Sequence, residues 1–165
     1  MPQETSLILF CGKMGAGKST AAVDIAQQRN AVLISEDHWL STLYPEQINT
    51  FEDYITFSAQ LRPLIQSHVR NILQTGTSVV MDFPANTRRQ RQWFYQLSQL
   101  AGVTAQLNYL KISDELCLQR IAQRRSEQPS RAAFDTEDMF HHVSQFFEEP
   151  DATELLNFEV VTRAE

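Results

Sequence analysis

Residues 6–20 read Ser-Leu-Ile-Leu-Phe-Cys-Gly-Lys-Met-Gly-Ala-Gly-Lys-Ser-Thr, and the order of residue types in this stretch decides the fold. Ser6–Cys11 is short, apolar and without polar alternation, the pattern of a strand buried on both faces. A glycine-rich turn follows at once. From Lys18 the spacing becomes helical, with Ala21, Ala22, Ile25 and Ala26 on one face. The chain holds five glycines, and three of them, Gly12, Gly15 and Gly17, fall in this turn. Gly12, Gly17, Lys18 and Ser19 satisfy the spacing G-x-x-x-x-G-K-[ST]. Successive backbone N–H groups can converge on one anion only where the chain takes conformations glycine tolerates and no side chain intrudes. A helix opening at the same point adds its partial positive charge. Lys18 is then placed to reach the β and γ phosphates, and the Ser19 hydroxyl to ligate the magnesium that bridges them. A plain strand-to-helix turn needs neither three glycines nor a lysine, and no G-x-G-x-x-G can be laid over these positions. The segment Gly12, Lys13, Met14, Gly15, Ala16, Gly17, Lys18, Ser19 and Thr20 is therefore read as a nucleoside-triphosphate site.

Working outward, four more apolar runs read as strands, at 31–35, 77–82, 106–112 and 158–161. Between them lie segments of helical period. The longest carries Tyr54, Phe57, Leu61, Leu64, Ile65, Val69, Ile72 and Leu73 and contains Pro63, which predicts a kink or two helices meeting near Arg62. Residues 87–101 form a helix closed by Gly102, Ser113 caps the next, and 136–148 place Met139, Phe140, Val143, Phe146 and Phe147 on one face. Phe146, Phe147 and Trp93 are assigned to the core. The polar stretch 126–131 is expected to be a mobile surface loop. Strands this apolar, alternating with helices, predict an α/β fold with a parallel sheet covered on both faces.

The composition agrees. A chain of 165 residues with 42% hydrophobic and 21% charged residues is one globular domain, spanning 1–165, and not a disordered segment. A net charge of -6 and a pI near 5.2 argue against a protein that coats nucleic acid or anionic membrane. No apolar run approaches the roughly 18–20 residues of a membrane span, and the first residues lack the basic start and apolar core of a secretory signal. Cys11 and Cys117 stand alone in apolar runs and are read as buried thiols. A cytoplasmic protein is the expectation.

Ligands of open parallel sheets sit beyond the carboxyl ends of the strands. Two carboxylates stand at such ends, Asp37 after the second strand and Asp82 at the end of the third. Phosphoryl transfer to an alcohol needs one carboxylate to accept the hydroxyl proton and gains from another that holds magnesium. Asp37 is assigned as the base and Asp82, with Ser19, to the metal or to substrate orientation; the sequence leaves the exchanged roles open as the alternative. Glu36 is read as solvated or salt-bridged and His38 as a rim residue. His68, His141 and His142 show no ligand spacing.

The run QRIAQRR supplies Arg120, Arg124 and Arg125. A spacing of four puts Arg120 and Arg124 on one helical face. Guanidinium groups stabilise the charge that spreads over a transferring phosphoryl group, and a loop carrying them can close and exclude water. Arg88, Arg89 and Arg91 begin another helix, where cations oppose the dipole; an anionic substrate, an acidic partner or a surface salt-bridge network are all open readings.

With these residues assembled, the chain resembles the kinase-like proteins of the AAA-type ATP-binding families, the group that includes polynucleotide 5′-hydroxyl kinases, chloramphenicol phosphotransferases and zeta toxins. The resemblance runs through GKMGAGKST, SEDHWLSTLYP, VVMDFPANTRRQR and QRIAQRR, in that order. It implies a P-loop NTPase fold, a three-layer α/β/α sandwich with a five-stranded parallel sheet ordered 2-3-1-4-5 and a small lid near 124–135. It implies Asp37 as general base, Arg120 packed on adenine and Arg124 on phosphate. QRIAQRR is similar to the lid-entry segment of adenylate kinases. VVMDFPANTRRQR is similar to the D-x-x-N-x-x-R region of polynucleotide kinases, but departs from it by inserting Phe83 and Pro84 after the aspartate. The expectation is an ATP- and Mg2+-dependent kinase acting on a hydroxyl of a small-molecule or nucleotide-like acceptor, as monomer or homodimer, with nucleic acid disfavoured as acceptor. The alternative from another class is a nucleotide-dependent ATPase or switch acting with a protein partner.

Overall fold

The computed structural model describes residues 3–164. Its sheet has five parallel strands: β1 (Ser6–Cys11), β2 (Val32–Ser35), β3 (Val79–Pro84), β4 (Thr104–Lys111) and β5 (Glu159–Ala164), ordered β2-β3-β1-β4-β5. This is the expected order. The helices are α1 (Lys18–Arg29), α2 (Glu36–Leu43), α3 (Phe51–Gln74), α4 (Arg88–Ala101), α5 (Asp114–Glu127), α6 (Glu137–Ser144) and α7 (Ala152–Leu155), with a 3-10 turn at Pro129–Arg131.

The alternation of side chains along β1 divides the core into two layers. Leu7, Leu9 and Cys11 face α3 and α4, joining Leu61, Ile65, Val69, Phe94 and Leu97. Ile8 and Phe10 face α1 and pack with Ala22, Ile25 and Ala26. Every residue of β1 is buried, as a central parallel strand requires. The edges depart from the expectation of full burial: Val32 and Leu33 on β2 and Val160 on β5 are each a little over a third exposed. A third, smaller core of Ala16, Leu110, Cys117, Ile121 and Phe140 ties the turn after β1 to α5 and α6.

Several boundaries differ from the sequence reading, each for a physical reason. The region around Pro63 is one 24-residue helix and not two. Pro63 cannot donate to the Ala59 carbonyl, but both residues are exposed, so water can satisfy that carbonyl. The helix expected over 136–148 stops at Ser144, because the chain turns back there to set the Glu148 amide on the Asn86 carbonyl at 2.8 Å. Phe146 is consequently 55% exposed and leaves the core, whereas Phe147 and Trp93 pack against it. Most of the stretch expected as a loop at 126–131 is helical, with α5 running to Glu127 and the 3-10 turn beginning at Pro129.

The basic start of α4 also resolves. Arg88 pairs with Asp151 at 2.6 Å. Arg91 is fully buried: its Nε donates to Glu154 Oε1 at 2.6 Å, Nη1 to the Ala85 carbonyl at 3.0 Å and Nη2 to the Glu148 carbonyl at 2.7 Å. Nη1 also approaches Cys11 Sγ at 3.6 Å, at the root of the glycine-rich turn. Arg91 therefore joins the ends of β1 and β3 to the segment before β5 and is not free to meet a substrate. Removing one partner of a buried pair leaves an uncompensated charge, so Glu154→Ala should lower the unfolding free energy by about 3 kcal/mol in urea titrations at unchanged m-value. A loss under about 1 kcal/mol would mean that water already screens Arg91.

Candidate nucleotide and phosphoryl-transfer site

The turn between β1 and α1 is built by its glycines. Gly15 and Gly17 adopt φ of 81° and 97°, the left-handed region that side chains disfavour. Gly15 lies against α5 so closely that a Cβ there would stand 2.6 Å from the Cys117 carbonyl oxygen and 2.9 Å from Ile121. The first amide of the turn, Gly12 N–H, donates to Asn86 Oδ1 at 2.9 Å. Asn86 is held in turn by Gln90, whose Oε1 accepts from the Asn86 and Thr87 amides at 2.9 and 3.1 Å, while Thr87 caps α4. The turn is thus fixed at its start by the β3–α4 junction and at its crest by α5.

Lys18 opens α1, and its ammonium donates to the carbonyls of Gly12 and, at 3.1 Å, Lys13. Burial lowers its pKa, and the nearby Arg124 adds to that effect, while Asp82 opposes it. The neighbouring Ser19 hydroxyl donates to Asp82 Oδ2 at 2.8 Å. Lys13 turns outward to Asp114 at 3.0 Å.

Asp82 lies where β3 is irregular against β1. Ile8 of β1 pairs with Val80, but Phe10 pairs with Pro84, so β3 spends two more residues than β1 across this interval. Met81, Asp82 and Phe83 thus stand opposite Leu9 alone, and Pro84 is back in register. The Asp82 carboxyl has a raised pKa, first through burial and then through the negative charge of Asp37, with the Ser19 hydrogen bond and Lys18 pulling the other way. The two carboxylates named from strand ends therefore lie within electrostatic reach of one another.

Asp37 is exposed in the first turn of α2, whose N-cap is Ser35. Its neighbour Glu36 corrects the sequence reading. Glu36 is 3% exposed and bound by the hydroxyls of Tyr54 and of Ser58, the latter at 2.8 Å. It is neither solvated nor in an ion pair. Burial raises its pKa, and the two α3 hydroxyls satisfy its oxygens. Glu36 thereby fastens α2 to α3, which sets the bearing of Asp37. His38 is exposed at the rim.

From α5, Arg120 Nη1 donates to the Ala16 carbonyl at 3.0 Å and lies 3.3 Å from where a Gly17 Cβ would be. A groove of roughly 460 Å³ opens beside it, lined by Gly17, Thr20, Asp24, Ile112 and Arg120 among others. Arg124, one turn on, forms a bidentate pair with the buried Asp135, and Arg125 is exposed. Among the described residues no group of three or more His, Cys, Asp or Glu side chains gathers around a common point, and no helix is long and apolar enough to cross a membrane.

Sequence reasoning missed Asn86, Glu36 and Asp135 as elements of the site. Asn86 and Glu36 act through partners on other elements of the chain, and Asp135 pairs with Arg131 four residues before it and with Arg124 on α5.

The family model described as an AAA domain matches residues 7–150, most of the chain. Among solved structures, a candidate kinase from Chloroflexus aurantiacus superposes with a TM-score of 0.75 at 20% identity, covering 98% of this chain and 89% of that one. The APS kinase CysC of Mycobacterium tuberculosis, solved with AMPPNP and APS, gives 0.67 at 16% identity, covering 99% and 90%. Kti12 of Chaetomium thermophilum, solved with ADP-AlF3, gives 0.67 at 19% identity, covering 96% and 88%. At such identities the likeness is one of fold. No match among curated proteins reaches significance. A family match over residues 7–150, a glycine-rich turn closed by Lys18 and Ser19, and the 2-3-1-4-5 sheet together show that the chain belongs to the AAA-domain family, with the P-loop kinase-like fold.

Proposed function

We propose that the chain is a kinase that moves the γ-phosphoryl group of ATP onto a hydroxyl of a small-molecule or nucleotide-like acceptor. The observation that carries this reading is the placement of Asp37. It is an exposed carboxylate at the end of β2 whose charge reaches the Asp82–Ser19 pair beside Lys18. A site built only to bind nucleotide needs no second carboxylate there.

The loop amides of residues 12–19 and the Lys18 ammonium hold the β and γ phosphates, Lys18 exchanging its carbonyl partners for phosphate oxygens. The Ser19 hydroxyl and Asp82 carboxylate, two hard oxygen donors 2.8 Å apart, would hold a magnesium ion, which would supply positive charge to offset that of the phosphates. Asp37 accepts the proton of the acceptor hydroxyl as its oxygen bonds to the γ phosphorus. The bond from that phosphorus to the bridging oxygen breaks, and its electron pair leaves with ADP. Thr20 and Arg120 line the groove that suits the adenine and ribose. Arg124 faces the developing charge, with Arg125 adding to the positive field. The last turn of α5 and the segment to Asp135, 124–135, form the lid that excludes water. Neighbouring structures solved with AMPPNP or ADP-AlF3 support a nucleotide as the donor, and the net charge of -6 favours a small molecule over nucleic acid as the acceptor. Two free, buried cysteines suit a reducing compartment, and we read the activity as cytosolic.

The direct test is a screen of purified protein, with ATP and magnesium, against a library of hydroxyl metabolites for labelled phosphate transfer. One or more acceptors should be phosphorylated; ATP turnover that no acceptor stimulates would point instead to a switch. On the acceptor found, Asp37→Asn should cut the transfer rate by at least about 100-fold while ATP affinity stays within about twofold, because only the proton acceptor is lost. Asp82→Asn should raise the magnesium concentration for half-maximal transfer by about tenfold or more, as loss of a carboxylate near a metal does. An unchanged magnesium titration contradicts the assignment of Asp82.

A further inference from the structure

Asp135 is fully buried, yet it lies between two arginines of the lid segment. Arg124 meets it as a fork, with Nε to Oδ2 at 2.9 Å and Nη2 to Oδ1 at 2.7 Å. Arg131 adds Nε to Oδ2 at 2.9 Å, and the Asp135 amide closes the turn by donating to the Arg131 carbonyl at 2.8 Å. A carboxylate withdrawn from water needs such pairing. The arrangement also leaves something over, since two guanidinium groups meet one carboxylate and one positive charge remains. Among the described residues, the Arg124 Nη1 group carries no hydrogen bond, and the side chain keeps 31% of its surface open. One helical turn earlier on the same face, Arg120 donates to the Ala16 carbonyl of the phosphate loop, so this face of α5 addresses the loop. Arg124 lies within electrostatic reach of Lys18.

We propose that Asp135 is the positioning residue for Arg124: its carboxylate grips the Nε–Nη2 edge of the guanidinium and so presents the Nη1 edge to the γ-phosphoryl group. Held this way, the guanidinium does not have to be ordered as charge develops on the phosphoryl oxygens, so it favours the transition state over the bound nucleotide. Arg131 supplies the second cation, which keeps the net charge beside Asp135 positive. The inference rests on the phosphoryl-transfer reading. It adds a residue ten positions beyond the helical arginine run to the machinery of that site.

Calorimetry with ADP and with ADP plus aluminium fluoride, both with magnesium, separates this role from a merely structural one. Wild type should bind the fluoride complex more tightly than ADP. Asp135→Asn should lose at least about tenfold of that preference while its ADP affinity stays within about twofold. Arg124→Lys should lose a similar amount, and the double variant no more than either single one, as expected of residues acting as a unit. A variant that keeps the full preference, or that loses ADP and analogue affinity in equal proportion, overturns the proposal alone. Wild type with no preference overturns the transfer reading, and the proposal with it. Because Asp135→Asn can fail to fold, the wild-type protein provides a second measurement. With 15N-labelled arginine, the Arg124 Nε–H signal, assigned by its loss in Arg124→Lys, should exchange slowly with solvent both with and without ADP plus aluminium fluoride. A signal averaged with those of free guanidinium groups overturns the positioning role.

Discussion

The structure depends on the capture of the turn after β1 from two directions. Asn86 takes the first amide of the turn, and α5 presses its backbone against Gly15 with no room for a Cβ. Neither contact is a strong bond alone; a neutral hydrogen bond contributes on the order of 1 kcal/mol. Their effect is geometric. They fix where the amides point before any phosphate arrives, so binding need not order the loop. The same two contacts tie the turn to the β3–α4 junction, next to Asp82, and to α5, which carries the arginines. A shift of either element would therefore move the loop and its neighbours together.

Three charged side chains taken out of water hold the surrounding pieces in register. Arg91 joins the strand ends to the segment leading into β5, Glu36 fastens α2 to α3, and Asp135 ties the arginines of the lid segment together. Burying a charge is costly unless its partners are complete. Each of the three stands beside a group that the proposed reaction uses: the glycine-rich turn above Cys11, Asp37 after Glu36, and Arg124 against Asp135. Apolar residues of similar volume could fill these positions without the desolvation cost, but they would not dictate an orientation.

How much of this is legible in the sequence follows from which signals are local. The glycine loop, Lys18 and Ser19 are legible because their chemistry needs adjacency, and Asp37 and Asp82 because strand ends mark them. The helix through Pro63 was not, since whether a lost hydrogen bond breaks a helix depends on which side faces water. The end of α6 at Ser144 was hidden because helical spacing continues to Phe146 and Phe147, while a contact from Glu148 to Asn86, 62 positions away, turns the chain. Glu36 looked like a surface acid for the same reason: its partners, Tyr54 and Ser58, lie on another helix. The two residues by which β3 outruns β1 between Ile8 and Phe10 are set by strand pairing, which no local spacing marks.

The central claim is that residues 12–19 form a triphosphate cradle completed by Lys18. Titrating ATP with magnesium into the purified protein in a calorimeter tests it most directly, with Lys18→Ala beside it. The account predicts one saturable site in the native protein and a loss of affinity of at least about tenfold in the variant, since a buried charge-assisted contact is removed. No heat with millimolar ATP, or equal binding by both proteins, would contradict it.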